Sequence, residues 1–210
     1  MNSFLKIDEL TESIHTYIDI EEDDCYYLAN YTSQKGYSYS EANSIISNLK
    51  KKPSTSGNPG YKYKKEAIIK VAEALRKLFE QEFIDSVTFV PIPPSKNKAH
   101  EDYDDRMLRI ITIATRNRNA DIRELVECIN SKEASHESAI RPSIPELKRN
   151  LQIIDEHCDD LRGTVVLIDD VLTTGAHFIA VKEVLKSRFP ELHVIGIFIC
   201  RRDFADDENF

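Results

Sequence analysis

From residue 87 onward, short unbroken apolar runs alternate with stretches of helical periodicity. VTFVPI (87–92), TVVLI (164–168) and VIGIFIC (194–200) are apolar and rich in β-branched residues. Between them, residues 102–117 place Met107, Ile110, Ile111 and Ala114 on one face, and 176–189 reads as a helix that Pro190 ends. IRELVECI (122–129) is a further candidate strand. Strands that read as continuous apolar runs are buried on both faces, as in a parallel sheet covered by helices. The alternation predicts a doubly wound α/β domain with helices on both faces of a parallel sheet. The polar segment 130–150 interrupts this rhythm and is too long for an ordinary connection, so it is expected to act as a lid.

The first 85 residues follow a different pattern and are expected to form a mainly helical N-terminal region. Ile68, Val71, Ala72, Leu75, Leu78 and Phe79 make an amphipathic stripe over 64–80, and 41–49 suggests a shorter helix. The tyrosine-rich stretch 15–40 gives no clear pattern. The expected division is 1–85, an α/β core over 86–202, and an acidic tail over 203–210.

Hydrophobic residues make up 41% and charged residues 30%, which suits a soluble chain with a full core. A formal charge of −8 excludes a general nucleic-acid coat. The charge is uneven: residues 48–77 hold nine bases against Glu66 and Glu73, a local +7. That window, with Tyr61 and Tyr63 interleaved, reads as a solvated helix face beside a mobile loop, and binding of a nucleic-acid backbone is the alternative. Cys25, Cys128, Cys158 and Cys200 lie far apart with no CxxC pair, so four separate thiols are expected rather than a zinc ribbon or disulfide framework. No run approaches the roughly 18 apolar residues of a membrane span, and the N-terminus lacks a signal-peptide pattern. No membrane association and a cytoplasmic location are therefore expected.

VVLIDDVLTTGAHF (165–178) carries the chemistry. A buried strand ends at Asp169 and Asp170, a turn runs through Thr173, Thr174 and Gly175, and a helix begins near Ala176. Ligands of parallel sheets bind beyond the carboxyl ends of strands. The turn supplies hydroxyls, close backbone approach and a helix N-terminus, which together make an anion cradle beside two carboxylates. A monophosphate in the cradle would set a sugar's vicinal hydroxyls against the carboxylates. A DxDxT phosphatase is excluded because Val171 stands where its second carboxylate belongs, and no P-loop sequence is present.

IDDVLTTGA is similar to the phosphoribosyl pyrophosphate (PRPP) binding motif of type I phosphoribosyltransferases. VPIPPSKNK (90–98) and LKRNL (147–151) make the ComF-type branch the nearest resemblance, which covers roughly residues 46–202. The chain departs from that branch in lacking its zinc ribbon, and in having His177 where the family has Thr or Ser. An imidazolium could still donate to phosphate as a charged group.

The resemblance implies a type I phosphoribosyltransferase-like fold with residues 1–85 as the hood. It assigns Asp169 and Asp170 to the ribose hydroxyls, and Thr173, Thr174, Gly175, Ala176 and His177 to the 5′-phosphate. Pyrophosphate would meet the loop Ile92–Lys98, with Ser95, Lys96 and Lys98 as contacts; Arg106, Lys148 and Arg149 are further candidates. The prolines of that loop allow a cis peptide bond. Mg2+ is the implied cofactor, bridging pyrophosphate and ribose oxygens, with Asp169 and Asp170 as its protein carboxylates, directly or indirectly. The ligand is expected to be PRPP or a 5′-phosphorylated nucleotide, and the chain a homodimer. The expected activity is transfer of the 5-phosphoribosyl group to an acceptor. The alternatives are a non-catalytic PRPP or nucleotide sensor, and a DNA-uptake or defence-associated accessory protein using residues 48–77.

Overall fold

A computed structural model describes residues 3–131 and 142–204. The chain runs β1 (Leu5–Lys6), β2 (Asp24–Thr32), α1 (Glu41–Leu49), α2 (Lys62–Leu78), α3 (Gln81–Ser86), β3 (Val87–Pro91) and α4 (Arg106–Ala114). It continues through β4 (Asp121–Ile122), β5 (Val126–Cys128), α5 (Ile144–Lys148), β6 (Leu151–Ile153), β7 (Thr164–Leu172), α6 (Ala176–Arg188) and β8 (His193–Asp203). Six strands form one sheet in the order β1-β2-β8-β7-β3-β4, and β5 pairs with β6 separately. Neighbours from β2 to β4 are parallel, and β1 joins β2 antiparallel. The fold is α/β with a mostly parallel sheet, as the alternating runs predict.

The two-residue alternation of β7 explains why its whole run is apolar. Val166 and Ile168 enter one core with α1, α2 and α4, while Val165 and Leu167 enter a second core with α6. All four are fully buried, and each such side chain contributes about 1.5–3 kcal/mol. On the first face, α1 buries Ala42, Ile45, Ile46 and Leu49, and its N-terminus is capped by Ser40 accepting from the Asn43 N–H. α2 buries Ile68, Val71, Ala72 and Leu75, the expected stripe.

Three expectations need correction. The stretch 15–40 contains β2, a nine-residue strand that pairs along β8, so the N-terminal region is mainly helical only beyond residue 40. Residues 122–129 are not one strand. Leu125 and Val126 are both buried in the same core, which consecutive residues of a pleated strand cannot be, and the chain bends between β4 and β5. Among the described residues no peptide bond is cis. Of the expected lid, 132–141 lies outside the described residues. Residues 143–148 form a capping box and α5, where Lys148 pairs with Glu183 of α6 at 2.6 Å.

Candidate active site

The sheet order creates the cleft. After β3 the chain crosses through α4 to β4 on one side, and after β7 it crosses through α6 to β8 on the other. The loops leaving the adjacent strands β3 and β7 therefore diverge, and a crevice opens at their carboxyl ends. A cleft of about 750 Å³ occupies this point. It brings together Ser95, Lys96 and Lys98 from the first loop with Asp169, Asp170, Thr173 and His177 from the second. Thr174, Gly175 and Ala176 are not among its lining residues.

The turn after β7 is held from behind. Gly175 has φ +90°, the left-handed region that favours glycine. A Cβ there would lie 2.6 Å from Ile18 Cδ1. The Tyr17 N–H donates to the Thr174 carbonyl at 3.0 Å, and His15 Nδ1 bonds the Thr173 carbonyl. The N-terminal arm thus engages the turn's carbonyls. Gly175 is also the N-cap of α6 and gives it no side-chain cap, and the positive end of the helix dipole there favours an anion.

Beneath the turn lies a ring of charges. Arg106 directs Nε and Nη2 at Asp170 Oδ2, at 3.0 and 2.7 Å, and Nη1 at Asp104 Oδ2 at 2.6 Å. The fully buried Lys64 reaches Asp104 Oδ2 at 2.7 Å and donates to the carbonyls of Leu49 and Lys51. Lys50 stands between those two carbonyls, with its ammonium 3.7 Å from Asp170 Oδ1. The ring closes: Lys50, Asp170, Arg106, Asp104, Lys64 and back to the backbone on either side of Lys50.

Its electrostatics separate the two aspartates. Burial would raise the Asp170 carboxyl, but Arg106 and Lys50 outweigh it and hold it below its ordinary range. Asp169, whose Oδ1 accepts from the Asp170 N–H at 2.7 Å, is pushed up to about 7 by burial and then by the charge of Asp170.

On the β3 side, Lys98 pairs with Glu124 at 3.1 Å, and Glu124 also accepts from the Tyr103 hydroxyl at 3.0 Å. Lys148 and Arg149 are not among the cleft-lining residues. Sequence reasoning did not reach Asp104 or Glu124, and it offered the basic window 48–77 for a polyphosphate's charge only as a whole, without separating Lys50 and Lys64 from the rest. The available signal was YDDRM (103–107), an acidic pair next to an arginine at a helix start. Of the basic window, Lys64 is buried, Lys50 and Lys52 line the cleft, and Lys51 donates to Asn48 and Gly60. Fewer of its cations remain for a nucleic acid.

Among the described residues no cluster of three or more His, Cys, Asp or Glu side chains is placed to hold a metal. Among those residues an all-protein metal site does not fit, whereas an ion that keeps most of its ligands as water and phosphate oxygen does, with Asp169 as a carboxylate that makes no ion pair among the described residues. No helix among the described residues is long and apolar enough to cross a membrane. No family model matches the chain, and no curated protein matches it.

Proposed function

We propose that this protein binds Mg2+-PRPP in the switch-point cleft and transfers the 5-phosphoribosyl group to an acceptor, releasing pyrophosphate. One observation carries the reading: Asp169, Asp170, Thr173 and His177 from the strand β7, its turn and the helix after it share one cleft with the lysine-bearing loop Ile92–Lys98, which leaves the adjacent parallel strand. The spacing of a phosphate cradle, two carboxylates and a basic loop suits a sugar bearing phosphate at one end and pyrophosphate at the other.

In this reading the first turn of α6 takes the 5′-phosphate, with Thr173 and His177 beside it. The aspartate pair accepts hydrogen bonds from the ribose hydroxyls, which fixes the ring and favours positive charge on it. The bond from C1′ to pyrophosphate breaks with its electron pair leaving on oxygen, and the ring gains oxocarbenium character. Cations around the cleft stabilise the leaving charge, and positioning supplies much of the remainder. Mg2+, when bound, would be held on the protein side by the aspartate pair and would neutralise charge on the departing pyrophosphate. A homodimer belongs to the same proposal.

A second reading, a non-catalytic PRPP or nucleotide sensor, draws on the ion pairs that Arg106 and Lys50 already make with Asp170. Titration calorimetry with Mg2+-PRPP, beside an assay of pyrophosphate release over a panel of nucleobases, separates the two. Transfer predicts binding with turnover, and sensing predicts binding without it. Asp170→Asn should weaken binding at least about tenfold, the effect of losing a charged hydrogen-bond acceptor, while thermal denaturation confirms a folded variant. A wild-type chain that binds no PRPP would overturn both readings.

A further inference from the structure

The basic window contributes to the cleft in a way that its position in the chain does not suggest. α1 ends at Leu49, Lys50 is its C-cap, and Lys52 precedes Pro53 with φ −66° and ψ 137°. Lys51, between them, is committed elsewhere: its ammonium donates to Asn48 Oδ1 at 2.6 Å and to the Gly60 carbonyl at 2.7 Å, 5.0 Å from the Tyr63 ring centroid. Lys50 and Lys52 both line the cleft. Their placement is built rather than incidental, because the buried Lys64 ties down the carbonyls on both sides of Lys50.

Neither ammonium is spent. Asp170 already receives two hydrogen bonds from Arg106, and Lys50 stands beyond hydrogen-bond distance at 3.7 Å with its side chain 48% exposed. Lys52 stands 3.9 Å from Asp102 with its side chain 72% exposed. Both ammoniums lie beyond hydrogen-bond distance of their carboxylates and keep an exposed side, so each can swing to a new partner while Arg106 still holds Asp170. A phosphate oxygen within reach is a stronger partner for each.

We propose that Lys50 and Lys52 form a cation pair that binds the pyrophosphate end of the ligand in the cleft they share with the Ser95–Lys98 loop. The proposal rests on reading the cleft as a PRPP site and adds a second wall to it, supplied by the N-terminal region. Binding exchanges partners: a ribose hydroxyl takes Asp170 Oδ1, and Lys50 turns from that oxygen to the pyrophosphate. The ligand would thereby connect the N-terminal region to the two loops of the sheet.

The test is titration calorimetry of the full chain with inorganic pyrophosphate, with and without Mg2+, repeated with Mg2+-PRPP. Lys50→Ala and Lys52→Ala should each weaken pyrophosphate binding roughly tenfold, and the double variant roughly a hundredfold. Lys50→Arg should retain most of the affinity. Lys65→Ala, an exposed lysine of the same window on α2, should match wild type. Wild-type affinity in the double variant would overturn the inference and leave the cleft's function standing. An equal loss in Lys65→Ala would reduce the effect to general electrostatics and also overturn it. If duplex DNA binding falls in the double variant while pyrophosphate binding persists, the pair serves nucleic acid instead. Absence of wild-type binding to both pyrophosphate and PRPP would remove the proposed function itself.

Discussion

At the scale of single residues, the most consequential arrangement is two adjacent aspartates with opposite preferences. Arg106 and Lys50 keep Asp170 ionised, and that fixed charge, added to burial, pushes Asp169 up to about 7. Between about pH 4, the ordinary carboxylate range, and pH 7, the native chain retains a proton on this pair that the unfolded chain releases. The group's contribution to stability is therefore greatest at the acid end of that window and falls as pH rises through it. Asp169→Asn is neutral throughout. Urea unfolding midpoints from pH 4 to 8 should show wild type losing about 1–3 kcal/mol relative to Asp169→Asn, then levelling off above pH 7. Parallel profiles would mean that Asp169 titrates as an ordinary carboxylate and that the ring leaves it uncrowded.

At the scale of elements, α2 does more than cover the sheet, because its Lys64 ends α1. The ammonium accepts the role of a C-terminal cap, bonding the Leu49 and Lys51 carbonyls where a helix end favours positive charge, and pairs with Asp104. Lys64→Ala would leave Asp104 with Arg106 alone, orphan two carbonyls and open a void, at a cost of about 3–5 kcal/mol. Lys64→Met, which fills the void but not the charge, should remain markedly destabilised. A Met variant as stable as wild type in chemical denaturation would show that the ring is not structurally required.

The sequence carried a trace of this. Lys64 sits one helical turn before Ile68 on the same stripe as Val71, Ala72 and Leu75, but a lysine at a helix start is normally read as solvated. The same limit hid β2. DCYYLANYT mixes Asp24 and Asn30 with tyrosines, so it lacks the unbroken apolar run that made β3, β7 and β8 readable. β2 lies near the sheet's edge, and only Cys25, Tyr27 and Leu28 of its residues are buried.

At the scale of the whole molecule, what was legible follows sequence distance. The aspartate pair and the turn are contiguous, and their strand-turn-helix context is written in the same dozen residues. The charge ring joins positions near 50, 64, 104, 106 and 170, and no local pattern connects them. The expected boundary at residue 85 is open to the same question, because the main sheet and the first core draw on both sides of it. β2 covers the free edge of β8, and Ile45, Ile46, Leu49, Val71 and Leu75 pack in one core with Val166, Ile168, Ile197 and Ile199. A fragment of residues 86–204 would leave only α4 on that sheet face, exposing the part that α1 and α2 cover, and would leave a long parallel edge unpaired, the condition that favours aggregation over folding. The prediction is that this fragment shows no cooperative urea transition and weak near-ultraviolet dichroism, whereas the full chain unfolds in one transition. Adding residues 1–85 in trans should restore part of the signal, since the missing face and strand are then supplied. A fragment that unfolds cooperatively, with a denaturant slope appropriate to its size, would instead make the N-terminal region a separate domain docked on a finished core. In that case Lys50 would reach Asp170 across a domain interface, and binding of the ligand would depend on how that interface closes.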